Sequence, residues 1–218
     1  MAGPIVFYFD FASPYAYFAL DGVVRLGAET RREIEWRPVL VWAVLKAHGI
    51  TGPMETPAKR DYIVRDMIRS AEFHGQPYRH PSKLPLSAHH AMRLYYAIEH
   101  DDPEIAQAFA REVFAAFFTR DEDISSQEIL VDIAARVGVG DSEARNGMSG
   151  DYGRWQLSQM VDRAVADGVV GSPYFIADGE GFFGADRLPQ LAWRLKQPSY
   201  VRSQLRQALT RESETEGQ

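Results

Sequence analysis

The side chains available for chemistry in this sequence are hydroxyls, carboxylates, lysines and histidines, because it contains no cysteine. A disulfide framework, a thiolate metal centre and a cysteine nucleophile are excluded outright. Ser13 stands before Pro14, just after an apolar β-rich run, Ile5 to Phe9, has broken at Asp10. Serine followed by proline fits a helix N-cap with proline at the first helical position, where its missing N–H costs nothing. The cap alone is worth about 1 kcal/mol to the helix. The same geometry can serve an anion, since first-turn N–H groups and the positive end of the helix dipole both favour negative charge. Both readings of Ser13 stand at this point. A second pair, Ser172-Pro173, follows Gly171 and precedes a run of strand character, Tyr174 to Ala177. Asp186 fits the cap of a last helix, and Arg187 fits a solvated charge. Lys46, His48 and Thr51 come after a second strand pattern, where a lone lysine or histidine is as readily a solvated loop residue as a ligand group.

Six histidines invite a metal reading. His89 and His90 are adjacent, so on a helix their side chains diverge by about 100° and do not share a face. Neither H-x-x-x-H nor H-E-x-x-H occurs, and no metal site is expected. "RDEDIS", 120 to 125, lacks the glycine and the spaced oxygens of a calcium loop and reads as a charged turn.

Elements must position these residues. Pro4 to Phe9 is β-branched and aromatic and predicts a buried strand. Behind Ser13, Tyr17, Leu20 and Val24 recur at helical spacing, with Gly27 as the expected stop and Tyr17 in the core. "EIEWRPVLV", 33 to 41, alternates and predicts a second strand, with Pro38 straining the assignment. The first forty or so residues therefore read as β-α-β with a right-handed crossover. From Ala58 to about Ala166 the periodicity is helical. Four or five amphipathic segments are expected, opening or capped near Ser87, Pro103 and Ser125 and stopping at Gly75, Gly138 and Gly168. Strand character then returns at Tyr174 to Ala177 and Phe182-Phe183, joined by the hairpin signal Asp178-Gly179. A final helix runs through Trp193 and Leu195 to about Lys196.

The 218 residues are 45% hydrophobic and 25% charged, enough for a sizeable core in one large domain or one domain with an insertion. Formal net charge is −6 with no basic stripe, so nucleic acid is not an expected partner. No run approaches a membrane span, and a soluble cytoplasmic protein is expected. The closing "RESETEGQ" reads as a frayed tail.

The order β-α-β, helices, β-β-α is that of the thioredoxin fold carrying an all-helical insertion, the DsbA-like variant. Redox-active members open the first helix with C-x-x-C; here that stretch is Ser13-Pro14-Tyr15-Ala16. "FDFASPYAY" together with "GVVGSPYFIADGEGFFGADRL" resembles the 2-hydroxychromene-2-carboxylate isomerases, relatives of the kappa-class glutathione transferases. "RPVL", "LKAHG" and "PAKRDY" extend the resemblance over nearly the whole chain. It implies an α/β thioredoxin-like domain from residues 1–45 and 169–218, with a helical insertion at 46–168.

The resemblance also implies a catalytic cofactor, glutathione, and a small aromatic-derived carboxylic acid as substrate. Ser13 would contact the glutathione sulfur. Lowering a thiol pKa by two units needs about 2.7 kcal/mol, which a charge-assisted hydrogen bond and a helix dipole together can supply. Ser172, before a cis Pro173, would pair through its main chain with the peptide part of glutathione. Ala185 and Asp186 would hold the γ-glutamyl end. Tyr15, Lys46, His48 and Thr51 would face substrate or carboxylate, Thr51 standing near where relatives often carry an asparagine. The implied reaction is cis–trans isomerisation by addition of the thiolate, rotation and elimination, in a protein that can form a homodimer. A kappa-like transferase or peroxidase, and a redox-inactive thioredoxin-like binding protein, are the alternatives.

Overall fold

The five-residue apolar run Ile5–Phe9 forms strand β1 at the centre of a four-stranded sheet, in a computed structural model that describes residues 3–52 and 56–197. The acidic "RESETEGQ" segment lies outside the described residues. β1 pairs in parallel with β2, Ile34–Pro38, and antiparallel with β3, Tyr174–Ala177; β3 pairs antiparallel with β4, Glu180–Phe183. The order is β2-β1-β3-β4. Pro38 is tolerated because β2 is an edge strand, where a missing N–H breaks no second ladder.

Alternation along β1 divides the sheet's two faces. Phe7 stacks on Phe175 at 5.3 Å and meets the edge of Trp36, and Phe9 continues that side towards Phe114. Tyr8 points the other way, into a smaller cluster with Val39, Val44, Ala164 and Val169. The first face belongs to one continuous core that passes through Phe18 and Leu20 to Tyr95, Phe109, Ile133 and Met148.

Helix α1, Pro14–Thr30, covers that first face. It does not stop at Gly27: it runs on to Thr30 and closes at Arg31, whose φ is 53°. Gly27 is there for closeness, because a Cβ would come within 2.7 Å of Ile34 Cδ1 on β2. The β3–β4 hairpin turns at Asp178 and Gly179, both with positive φ, as the Asp-Gly signal predicts. Arg32 grips the Asp178 carboxylate with two 2.9 Å hydrogen bonds and ties the start of β2 to that turn.

Between β2 and β3 the chain is helical: α2 Val41–Ala47, α3 Pro57–His74, α4 His89–Asp101, α5 Pro103–Arg120, α6 Gln127–Arg136, α7 Asp141–Ser149 and α8 Asp151–Ala166. α2 and α7 exceed the expected four or five. Several ends also differ. Ser87 does not cap α4: the N-cap is Ala88, and the Ser87 hydroxyl bonds His89 Nδ1 instead. The cap expected near Ser125 is Ser126, while Ser125 itself is held by Asp123. A 3₁₀ turn, Ala185–Arg187, precedes α9, Leu188–Leu195, and Asp186 caps neither of them. The His89 and His90 rings, expected to diverge, pack with centroids 3.9 Å apart. Among the described residues no three metal-ligating side chains gather into one group.

Candidate functional site

The loop from β1 to α1 is built by its own hydrogen bonds. Ser13 N–H donates to the Asp10 carbonyl at 2.9 Å, which turns the chain sharply enough to start α1. Ser13 is the N-cap, with its hydroxyl accepting from Ala16 N–H at 3.3 Å and Pro14 in the first turn. The same hydroxyl donates to the carbonyl of Ser172 at 2.9 Å. Ser172 returns the link, since its Oγ accepts from Asp10 N–H at 2.8 Å. Two serines 159 positions apart are thus locked face to face at the head of α1. The Ser172-Pro173 bond is cis, as the resemblance implies, and Gly184 N–H donates to the Pro173 carbonyl, which ties the turn that follows β4 to this loop.

The Asp10 side chain reaches a third wall. Its two carboxylate oxygens accept from Ala12 N–H at 2.9 Å and from Val41 N–H at 3.1 Å. Val41 opens α2, whose N-cap Leu40 supplies no side-chain acceptor, so Asp10 caps α2 from a distance. Burial of this residue, 3% exposed, raises its pKa to about 6, with the two N–H bonds working against that rise.

These walls enclose a cavity of about 330 Å³, within the range of small-molecule sites. Ser13, Tyr15, Thr51 and Ser172 line it, as do Asp10 and Lys59. Trp42, Leu45, Ile63, Met67 and Phe183 make the rest of the wall largely apolar. Tyr15 donates its hydroxyl to Asp66 Oδ2 at 2.6 Å, binding the start of α1 to α3; burial first, and that carboxylate second, push its pKa up.

Lys46 and His48 are exposed and do not line the cavity. Both fall on the far end of α2 and just beyond it, and of that helix only Val41, Trp42 and Leu45 line the cavity. The cation that does line the cavity is Lys59, in the first turn of α3, which the "PAKRDY" stretch contained without marking it out. Pro173, Ala185 and Asp186 do not line the cavity: Pro173 and Ala185 are buried, and the Asp186 side chain is 73% exposed beside Arg187. Asp10 is not evident from sequence alone, because a break in an apolar run says nothing about what the side chain will meet.

The donors present suit an anionic ligand with hydrogen-bond acceptors. Ser13 offers a hydroxyl at a helix head, Lys59 a cation, and Ser172 an N–H that has no acceptor among the described residues. Such a set can hold an anion at the head of α1, a second anion at Lys59 and a carbonyl at Ser172.

Comparison with known proteins gives a consistent picture. The family described as DSBA-like thioredoxin domain matches residues 4–196. "Glutathione s-transferase kappa 2" of Caenorhabditis elegans is 28% identical over 208 residues, 89% of this chain and 92% of that one. The "2-hydroxychromene-2-carboxylate isomerase" of Sphingobium xenophagum is 28% identical over 190 residues, 86% of this chain and 95% of that one. A solved 2-hydroxychromene-2-carboxylate isomerase shares the fold, with a TM-score of 0.77 at 24% identity over 94% of this chain and 98% of that one.

Proposed function

Since the chain belongs to the DSBA-like thioredoxin domain family, we propose that it is a glutathione-dependent cis–trans isomerase of an aromatic-derived carboxylic acid. The observation that carries this reading is Ser13: a hydroxyl at a helix head, opening on a cavity, in a chain with no cysteine. Glutathione, when bound, supplies a thiolate that can add to a conjugated carbon and leave again once the bond has turned. Ser13 Oγ holds the sulfur by donating its hydrogen, aided by the N-terminal dipole of α1. Ser172 N–H pairs with the peptide, and the turn at Ala185 and Asp186 receives the γ-glutamyl end. Lys59 attracts a carboxylate, and Trp42, Ile63 and Met67 exclude water from an aromatic acid.

The curated relatives include kappa-class transferases as well as isomerases, so a transferase that consumes glutathione is the second reading. Incubation with glutathione and a conjugated electrophilic acid separates the two. Isomerised product with total free thiol unchanged is expected; stoichiometric thiol loss identifies the transferase. Calorimetry with S-hexylglutathione tests the shared premise, and no binding at millimolar ligand would leave a redox-inactive binding protein instead.

A further inference from the structure

A thiol that becomes a thiolate must hand its proton to something. Among the residues lining the cavity the acceptors are few. Tyr15 of α1 already donates its hydroxyl hydrogen to Asp66, and its raised pKa keeps it protonated. Lys59 of α3 is a cation with no lone pair to offer. Ser13 is a donor, to the Ser172 carbonyl. The lining residues of α2, the Leu84–Pro85 turn, the 170–172 loop and β4 bring no titratable group. Asp10 remains. It lines the cavity, its carbonyl accepts from the Ser13 N–H, and its carboxylate is held by two backbone N–H groups. Among the described residues no cation forms an ion pair with it.

We propose that Asp10 takes up the proton that a thiol loses on binding at Ser13, so that one negative charge moves from the Asp10 carboxylate to sulfur. The proposal rests on the glutathione reading above. The S–H bond breaks, its electron pair stays on sulfur, and an O–H bond forms on the Asp10 carboxylate. The physical reason is that two anions in one largely apolar cavity repel, so a carboxylate that stayed charged would raise the pKa of the very thiol the site must ionise. A neutral Asp10 removes that penalty. The burial that already lifts its pKa to about 6 brings the carboxyl part of the way towards accepting the proton.

Titration calorimetry of the wild-type protein with glutathione, in neutral buffers of different ionisation enthalpy, counts the protons released per ligand bound. The thiolate is followed by its ultraviolet absorbance, and S-hexylglutathione, which has no thiol proton, gives the baseline for other linked groups. Thiolate formation with no net proton release beyond that baseline is expected. Release of one proton per thiolate overturns the role of Asp10 while leaving the glutathione reading intact; absence of binding, or binding with no thiolate, overturns both. Asp10→Asn is expected to convert the wild-type behaviour into release of one proton per thiolate. Should that variant not fold, the wild-type count decides alone.

Discussion

Ser13 has one hydroxyl hydrogen and, on the proposed reading, two acceptors for it. Without ligand it goes to the Ser172 carbonyl; with a sulfur anion present it must turn away from that carbonyl. Ser13→Ala is expected to lower turnover about 100-fold, the scale of losing one preorganised donor. Its loss as an N-cap should cost only about 1 kcal/mol in stability. Ser13→Cys is expected to yield a thiol more acidic than the ordinary value of about 8.5, measured by the pH dependence of its alkylation. Asp10 makes the opposite kind of contribution. Its folded pKa is raised, so the native state binds more protons than the unfolded one between about pH 4 and about 6, and stability falls as pH rises through that window. The loss is about 3 kcal/mol at most. Asp10→Asn, which does not titrate, should gain that amount relative to wild type between pH 4 and pH 7 in chemical denaturation; a constant difference would show that Asp10 is not perturbed. Ser13 and Ser172 were legible because serine before proline has a local meaning. Asp10 and Lys59 were not, because their roles arise from walls that the sequence does not show to be neighbours.

At the level of elements, α3 is the wall of the cavity most lightly attached. Of its residues only Met67 and Ala71 are buried. The Tyr15–Asp66 hydrogen bond supplements this small apolar contact. Tyr15→Phe is therefore expected to raise KM several-fold with little change in kcat, and to speed amide exchange in α3 while leaving α4 and α5 protected. By contrast α8 is seated on α4 through Gly153, where a Cβ would lie 2.5 Å from the Arg93 carbonyl. Backbone oxygen cannot give way as a side chain can. The long helices were readable because their apolar stripes repeat, as with Phe109 and Val113 in α5. α2 and α7, of seven and nine residues, are too short for a stripe to declare itself. Gly27 misled because glycine's two uses, ending a helix and admitting a neighbour, look alike in sequence.

For the molecule as a whole, the overall order was legible from its two ends, where β-branched and aromatic runs flank a long helical stretch. What joins the ends is less apparent. Arg37, 7% exposed, donates to the Tyr8 hydroxyl at 2.6 Å, to Asp167 at 3.1 Å and to Glu35 at 2.6 Å, linking β1, β2 and the C-terminus of α8. Arg37→Ala removes these hydrogen bonds, although Tyr8 still donates to Asp167 and Asp167 still pairs with Arg163, and is expected to destabilise the fold by about 2–3 kcal/mol in urea denaturation. Glutathione affinity of the folded fraction should be unchanged, because none of these groups lines the cavity. The hydrogen bond between Asp10 and Ser172 spans 162 positions. During synthesis, then, Asp10 and Ser13 leave the ribosome long before Ser172, the residue that completes their hydrogen bonds. A chain interrupted anywhere before residue 171 carries the head of α1 without the loop that completes it, and on the proposed reading such a fragment should bind no thiol at all.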